Sequence, residues 1–188
     1  MKLRHLLSAA VLSAFAAGAA AQSYTIEPNH TYPSFEAPHL GISLWRGKFN
    51  KTSGKINLDR AAKTGTIDIA IDAASVDFGH QKMNEHARGK DFFNAEQFPQ
   101  ITYKGKFTRF NGDVPVEAQG DLTMLGVTKP VTLTLNSFKC IEHPMLKREV
   151  CGGDFETTIQ RSAFGITELQ GAVPDEVRLV IQVEAVKQ

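Results

Sequence analysis

GTIDIAIDAAS, residues 65–75, places Ile67, Ile69 and Ile71 on alternate positions, with Thr66, Asp68, Ala70 and Asp72 around them. Successive side chains of a strand point to opposite faces, so the isoleucines share one side of a sheet and the aspartates the other. Three β-branched residues in register must be hidden from water, against either protein or something that the protein holds.

The same period of two recurs along the chain. Val116, Ala118, Gly120, Leu122 and Met124 alternate with Glu117, Gln119, Asp121 and Thr123, and Val131, Leu133 and Leu135 with Thr132, Thr134 and Asn136. Phe155, Thr157 and Ile159 alternate with Glu156, Thr158 and Gln160, and Val177, Leu179, Ile181, Val183 and Ala185 with a set that includes Arg178, Gln182 and Glu184. Each run reads as a strand with one wet and one buried face. Turn signals fall between them: KTSG at 51–54, NGD at 111–113, GVTKP at 126–130 and VPDE at 173–176. Strands joined by short turns are antiparallel neighbours. Roughly eight strands fit, counting SYTIEP, YPSFEAPHL and SLWRGKFNK near the start.

The fold class is therefore all-β, and its two economical forms are stacked sheets or one sheet closed on itself. Closure removes exposed edges, and an eight-stranded barrel is at the size where side chains either fill the interior or leave room for one small ligand. One segment departs from the alternation. GHQKMNEHARGKDFFNAEQFPQ, residues 79–100, is rich in helix formers from His80 to Arg88. It predicts one or two short helices bridging distant strands, with Phe92, Phe93 and Phe98 as plugs that pack the core or cap an opening.

The N-terminus has the layout of a secretory signal peptide: Lys2 and Arg4, an apolar run from Leu6 to about Ala20, and small residues at Ala19 and Ala21. The expected division is a removed signal over residues 1–21, cleaved near Ala21/Gln22, and one domain over 22–188. Of the 21 basic and 20 acidic residues, the signal holds two basic ones, so the remainder has a formal charge near −1. Such a surface offers no broad basic field for nucleic acid or an anionic membrane.

Cys140 and Cys151, the two cysteines, lie at the end of one strand run and the start of the next. A metal site using Cys140, His143 and Cys151 lacks a fourth ligand and the paired zinc spacings. A disulfide stapling a hairpin suits an exported chain with an even cysteine count and is the expectation here. His80, Glu85 and His86 lack the His-Glu-x-x-His spacing that puts two imidazoles one helical turn apart, and surface or helix-capping roles suit them better. Gly-x-Ser-x-Gly and a phosphate-cradling Gly-rich loop are both missing from the sequence. The residues do not read as an enzyme's, and neither a catalytic set nor a metal site is assigned.

Laid in order, HLGIS with GKF, EHARGKDFF with FPQITY, and LGVTKPVTL resemble the YceI-like family of exported polyisoprenoid-binding proteins across essentially the whole of residues 22–188. That resemblance implies a lipocalin-like, eight-stranded antiparallel barrel with a helical insertion, set in the periplasm. It implies no catalytic cofactor. The expected partner is an apolar lipid, such as an isoprenoid chain or quinone tail, held in the lumen, with a homodimer and a transient membrane-protein partner as further expectations. Phe35, Leu44, Ile67, Ile69, Ile71, Ile101, Tyr103, Leu122, Met124 and Leu133 are assigned to the lumen wall, and His39, Trp45, Phe92 and Phe93 to the entrance. Pro33 and Pro38 depart from the family's smoother alternation and predict a bent or edge segment at the rim. Two alternatives stand beside the carrier: an enzyme acting on an isoprenoid or quinone, and an adaptor with a filled barrel that docks a membrane redox or stress-response partner.

Overall fold

The computed structural model describes residues 21–188. The expected signal peptide therefore lies outside the described residues, apart from Ala21. The strands are β1 (Gln22–Ile26), β2 (Tyr32–His39), β3 (Ser43–Phe49), β4 (Thr52–Asp59), β5 (Thr64–Asp72), β6 (Val76–Asp77), β7 (Gln100–Asn111), β8 (Val114–Met124), β9 (Val127–Glu142), β10 (Glu149–Gln160) and β11 (Glu176–Lys187). A single α-helix, α1 (Gln81–Arg88), fills the predicted insertion, and two 3-10 turns cover Ala73–Ser75 and Arg161–Phe164. Residues 89–100, the rest of that insertion, hold no second helix. The N-terminus of α1 is capped by His80, whose Nδ1 accepts from the Met83 N–H at 3.4 Å.

Eight strands close a ring in the order β1-β4-β5-β7-β8-β9-β10-β11 and back to β1. Every pairing is antiparallel, which the short turns at 112–113 and 125–126 demand. KTSG does not form the predicted turn: Thr52 already pairs with Ile71 in β4, and β3 and β4 run in the same sense, so the chain passes from flap to barrel at Asn50 and Lys51 without reversing. In GVTKP the reversal takes only Leu125 and Gly126, and β9 begins at Val127.

β2 and β3, expected among the barrel staves, form a flap with β6 beside the ring. β11 carries two neighbours on one edge: Ala185–Lys187 pair with β1, and Arg178–Gln182 with β2. Thr31 spans the split between them. Its hydroxyl donates to the Glu184 carbonyl and accepts from the Glu184 N–H, both at 3.0 Å, which replaces the missing ladder bonds.

The prolines obey this pairing. Pro33 lies opposite Ile181 of β11 before β3 joins, and Pro38 lies opposite Leu44 of β3 after β11 has left. β2 is thus no edge strand along its middle, and each proline occupies a position with a neighbour on one side only. Pro115 and Pro130 repeat the arrangement in β8 and β9, because a residue without an N–H fits where the ladder is one-sided.

Toward the end bearing the turns at 60–63, 112–113 and 143–148, the interior is packed solid by Tyr24, Leu58, Phe107, Ala118, Leu135 and Ala185. Polar groups seal that end: the Tyr24 hydroxyl donates to Glu149 at 2.7 Å, Lys187 pairs with Glu149 at 3.4 Å, and Arg60 pairs with Asp113. Burial, aided by Glu149, raises the Tyr24 phenol far above its ordinary range, while the Tyr24 hydrogen bond holds the Glu149 carboxyl down.

On the same hairpin Cys140 and Cys151 form a disulfide across the register pair of β9 and β10. Their sulfurs bond each other, and the His143 ring accepts from the Met145 and Leu146 N–H groups at 3.3 and 3.2 Å to shape the hairpin tip.

Candidate functional site: an apolar cavity under the helix

The other half of the barrel is hollow. A cavity of about 450 Å³ runs between the strands and α1, within the ~300–1,000 Å³ range of small-molecule sites. Phe35, Ile67, Ile69, Ile71, Ile101, Tyr103, Leu122, Met124 and Leu133 all line it. The three isoleucines of the opening stretch therefore face this space. Val177, Leu179, Ile181 and Val183 of β11 face it too, and they are only half-buried.

Leu44 does not belong to the wall. Adjacent strand residues point to opposite faces, and Trp45 takes the inward phase of β3, so Leu44 turns to the outside and is 40 % exposed. Trp45, Phe92 and Phe93 line the cavity at its helical end. His39 does not reach it and instead stacks on the Trp45 indole, with ring centroids 3.9 Å apart and planes 12° from parallel. Of the predicted plugs, Phe98 packs over Gly126 at the β8–β9 turn and leaves the cavity to the other two.

An aromatic cluster roofs this half. Phe35 meets Phe78 edge-on at 5.4 Å, and Phe93 meets Phe49 at 5.2 Å. Gly47 makes the position of Phe35 feasible: a Cβ there would lie 2.4 Å from the Phe35 ring, so only glycine lets the ring cross the flap.

The polar atoms of the wall are nearly all spoken for. Tyr103 donates to the Val131 carbonyl at 3.1 Å, and burial pushes its phenol up to about 12. The buried Arg161 guanidinium donates to the carbonyls of Val173 at 2.9 Å, Pro174 at 3.1 Å and Ile166 at 3.3 Å. These bonds fold the strap 161–175 back so that Ile166, Leu169 and Val173 close one side of the cavity. Asp175 clamps the base of the strap by accepting from the Ser162 N–H at 2.8 Å and the Ser162 hydroxyl at 2.7 Å. Thr52 is the exception: among the described residues, its hydroxyl is the one buried side-chain polar group without a partner.

Lys82 and His86, one turn apart on α1, stand at the exposed lip with Met83, and the His86 ring meets Phe92 edge-on at 4.8 Å. No Asp or Glu lines the cavity. The arrangement suits burial of a hydrocarbon with a polar end at the helix, and no nucleophile–base pair faces the space.

Sequence reasoning missed Lys82, Met83, Arg161 and the strap, which has no periodicity to read. The inward run of β11 was visible as Val177, Leu179, Ile181 and Val183 in one phase, and could have been assigned to the wall on that ground.

A family model described as YceI-like domain matches residues 24–185. Protein YceI of Escherichia coli O157:H7 is 34% identical over 178 residues, covering 93% of this chain and 92% of its own. Among solved structures, the Campylobacter jejuni YceI protein is similar at 27% identity with a TM-score of 0.66, over 80% of this chain and 89% of its own. A polyisoprenoid-binding domain from Saccharophagus degradans shares the fold at 13% identity with a TM-score of 0.64, over 89% of this chain and 99% of its own.

Proposed function

Because this chain belongs to the YceI-like family, we propose that it is an exported, periplasmic binding protein which carries or sequesters a long isoprenoid lipid, such as a quinone tail, in the barrel. The observation that carries this reading is the cavity of about 450 Å³, whose wall is largely aliphatic and aromatic and whose Tyr103 hydroxyl and Arg161 guanidinium are tied to the protein's own backbone. A polyisoprenoid-binding domain of the same fold supports the choice of guest.

Each methylene removed from water is worth about 0.8 kcal/mol, so one five-carbon unit contributes roughly 4 kcal/mol before ordering costs. A tail of a few units thus binds with almost no hydrogen bonds, and lumen dimensions set its length. The free Thr52 hydroxyl and the Lys82/His86 lip offer donors for the oxygens of a head group.

The test is to purify the protein from its own cells, denature it, and analyse the extract by mass spectrometry. The expected result is one long apolar molecule per chain. Protein that is consistently free of such a molecule and also refuses a fluorescent polyprenyl analogue would contradict the reading.

A further inference from the structure

The rim beside the cavity mouth carries aliphatic side chains that remain open to solvent. Leu40, Ile42 and Leu44 on the β2–β3 hairpin are 58 %, 84 % and 40 % exposed, and Leu169 on the strap is 45 % exposed. The Leu40 N–H donates to the Ala172 carbonyl at 2.7 Å and the Ala172 N–H to the Leu169 carbonyl at 2.8 Å, which joins hairpin tip and strap into one surface. Leu169 also lines the cavity, so this outer patch and the apolar wall are continuous.

Two of these leucines are held in left-handed backbone, Leu40 at φ 54° and Leu169 at φ 56°. Asn or Gly enters that region with far less strain than a bulky apolar residue. A side chain that is strained, exposed and unused by the core points to contact outside the molecule.

We propose that this rim is a contact surface for a lipid bilayer, which sets the cavity mouth against the membrane so that a hydrocarbon guest passes in or out without crossing water. The proposal rests on the reading of the cavity as a lipid site. A bilayer is favoured over a second copy of the chain by size. The exposed aliphatic surface amounts to little more than two whole side chains, well short of the ~800 Å² per partner that a stable protein interface covers.

Charge agrees. From His39 to Trp45 no Asp, Glu, Lys or Arg occurs, and between Phe164 and Val173 Glu168 is the sole one, so little has to be dehydrated when the rim enters the headgroup layer. Trp45, stacked on His39 just below the tip, is the residue type that settles at a membrane–water boundary.

The test is flotation of the protein with phosphatidylcholine vesicles, with and without phosphatidylglycerol, beside the double variant Leu40→Asn/Ile42→Asn. Asparagine tolerates the left-handed backbone at position 40, and neither Leu40 nor Ile42 lines the cavity, so the variant keeps its melting temperature and its uptake of a fluorescent polyprenyl analogue supplied in solution. The expected result is binding to both vesicle types that survives high salt, and a loss of about tenfold or more in the double variant. A lumen-blocking Ile69→Trp variant binds vesicles as the parent does while taking up no analogue, so failure of the rim and failure of the lipid-site reading are told apart. The proposal is overturned if the parent leaves vesicles unbound, if the double variant binds equally, or if binding needs phosphatidylglycerol and vanishes in salt. Self-association that the double variant abolishes, without vesicle binding, would assign the rim to a second copy instead.

Discussion

Thr31 and Thr52 are both almost fully buried, and the structure sets opposite values on their hydroxyls. Thr31 bridges the split in the barrel wall, and Thr31→Val strips the Glu184 N–H of its partner in a buried place. That variant is expected to lose about 1–3 kcal/mol, read as a lower urea midpoint at unchanged slope. The Thr52 hydroxyl makes no hydrogen bond, so Thr52→Val removes an unmatched group of the same shape and is expected to leave stability equal or raised by about 1 kcal/mol. The same variant weakens binding of a guest that carries oxygens relative to a plain hydrocarbon, which parallel titrations would show. Nothing in the sequence separates these two threonines. Their difference comes from a pairing split between β1 and β2 that no local pattern encodes, whereas Ile67, Ile69 and Ile71 announce their common face in three alternate positions.

The element that decides access is α1 with its latch. The Asp77 carboxylate accepts from the Gly79 N–H at 2.8 Å, the Asn84 amide at 2.9 Å and the Asn50 amide at 3.1 Å, and so ties the helix to the flap. These bonds, the Gly79 N–H foremost, hold its carboxyl at about 2, below the ordinary 3.8. A carboxyl depressed by folding stabilises the fold above its unfolded pKa and loses that contribution as pH falls from about 4 to about 2. Hydrogen exchange in α1, corrected for intrinsic rates, is therefore expected to be level from neutral pH to about 4 and to quicken below it. In Asp77→Asn that acid step should vanish, and a persisting step would place the trigger elsewhere. The helix itself was readable from His80 to Arg88 because its residue types break the strand period. Its role over the mouth was not, since Lys82 and His86 point at the cavity only once β6 and the flap have placed the helix. The strap shows the same limit: Arg161 organises it through carbonyls, which leave no trace in sequence. The β9–β10 hairpin was readable from its cysteines. Closing its loop is worth roughly 3 kcal/mol, so Cys140→Ala/Cys151→Ala is expected to lose about that much stability and to melt at a lower temperature. A thiol reagent should label the parent only after reduction.

At the scale of the molecule, one barrel performs two jobs in its two halves. The end sealed by Tyr24, Glu149 and Arg60 is packed by its own side chains and supplies the stability that lets the other half stay hollow. Alternation along a strand is identical in both halves, which is why the pattern could announce strands with one buried face but not whether the sheet closes or how far down it is filled. What differs is residue size and closure: Phe107, Tyr24 and Leu135 meet across the packed end, while β11 presents Val177 to Val183 to open space. The central claim, that the isoleucine face of β5 holds a hydrocarbon guest, is tested most directly by comparing two tryptophans on that strand. Ile69→Trp fills the lumen and Thr66→Trp sits on the outer face. In equilibrium titration with a fluorescent polyprenyl analogue, the parent and Thr66→Trp should bind one molecule per chain with equal affinity, and Ile69→Trp should bind at least about tenfold more weakly. Equal binding by all three folded proteins would contradict the claim.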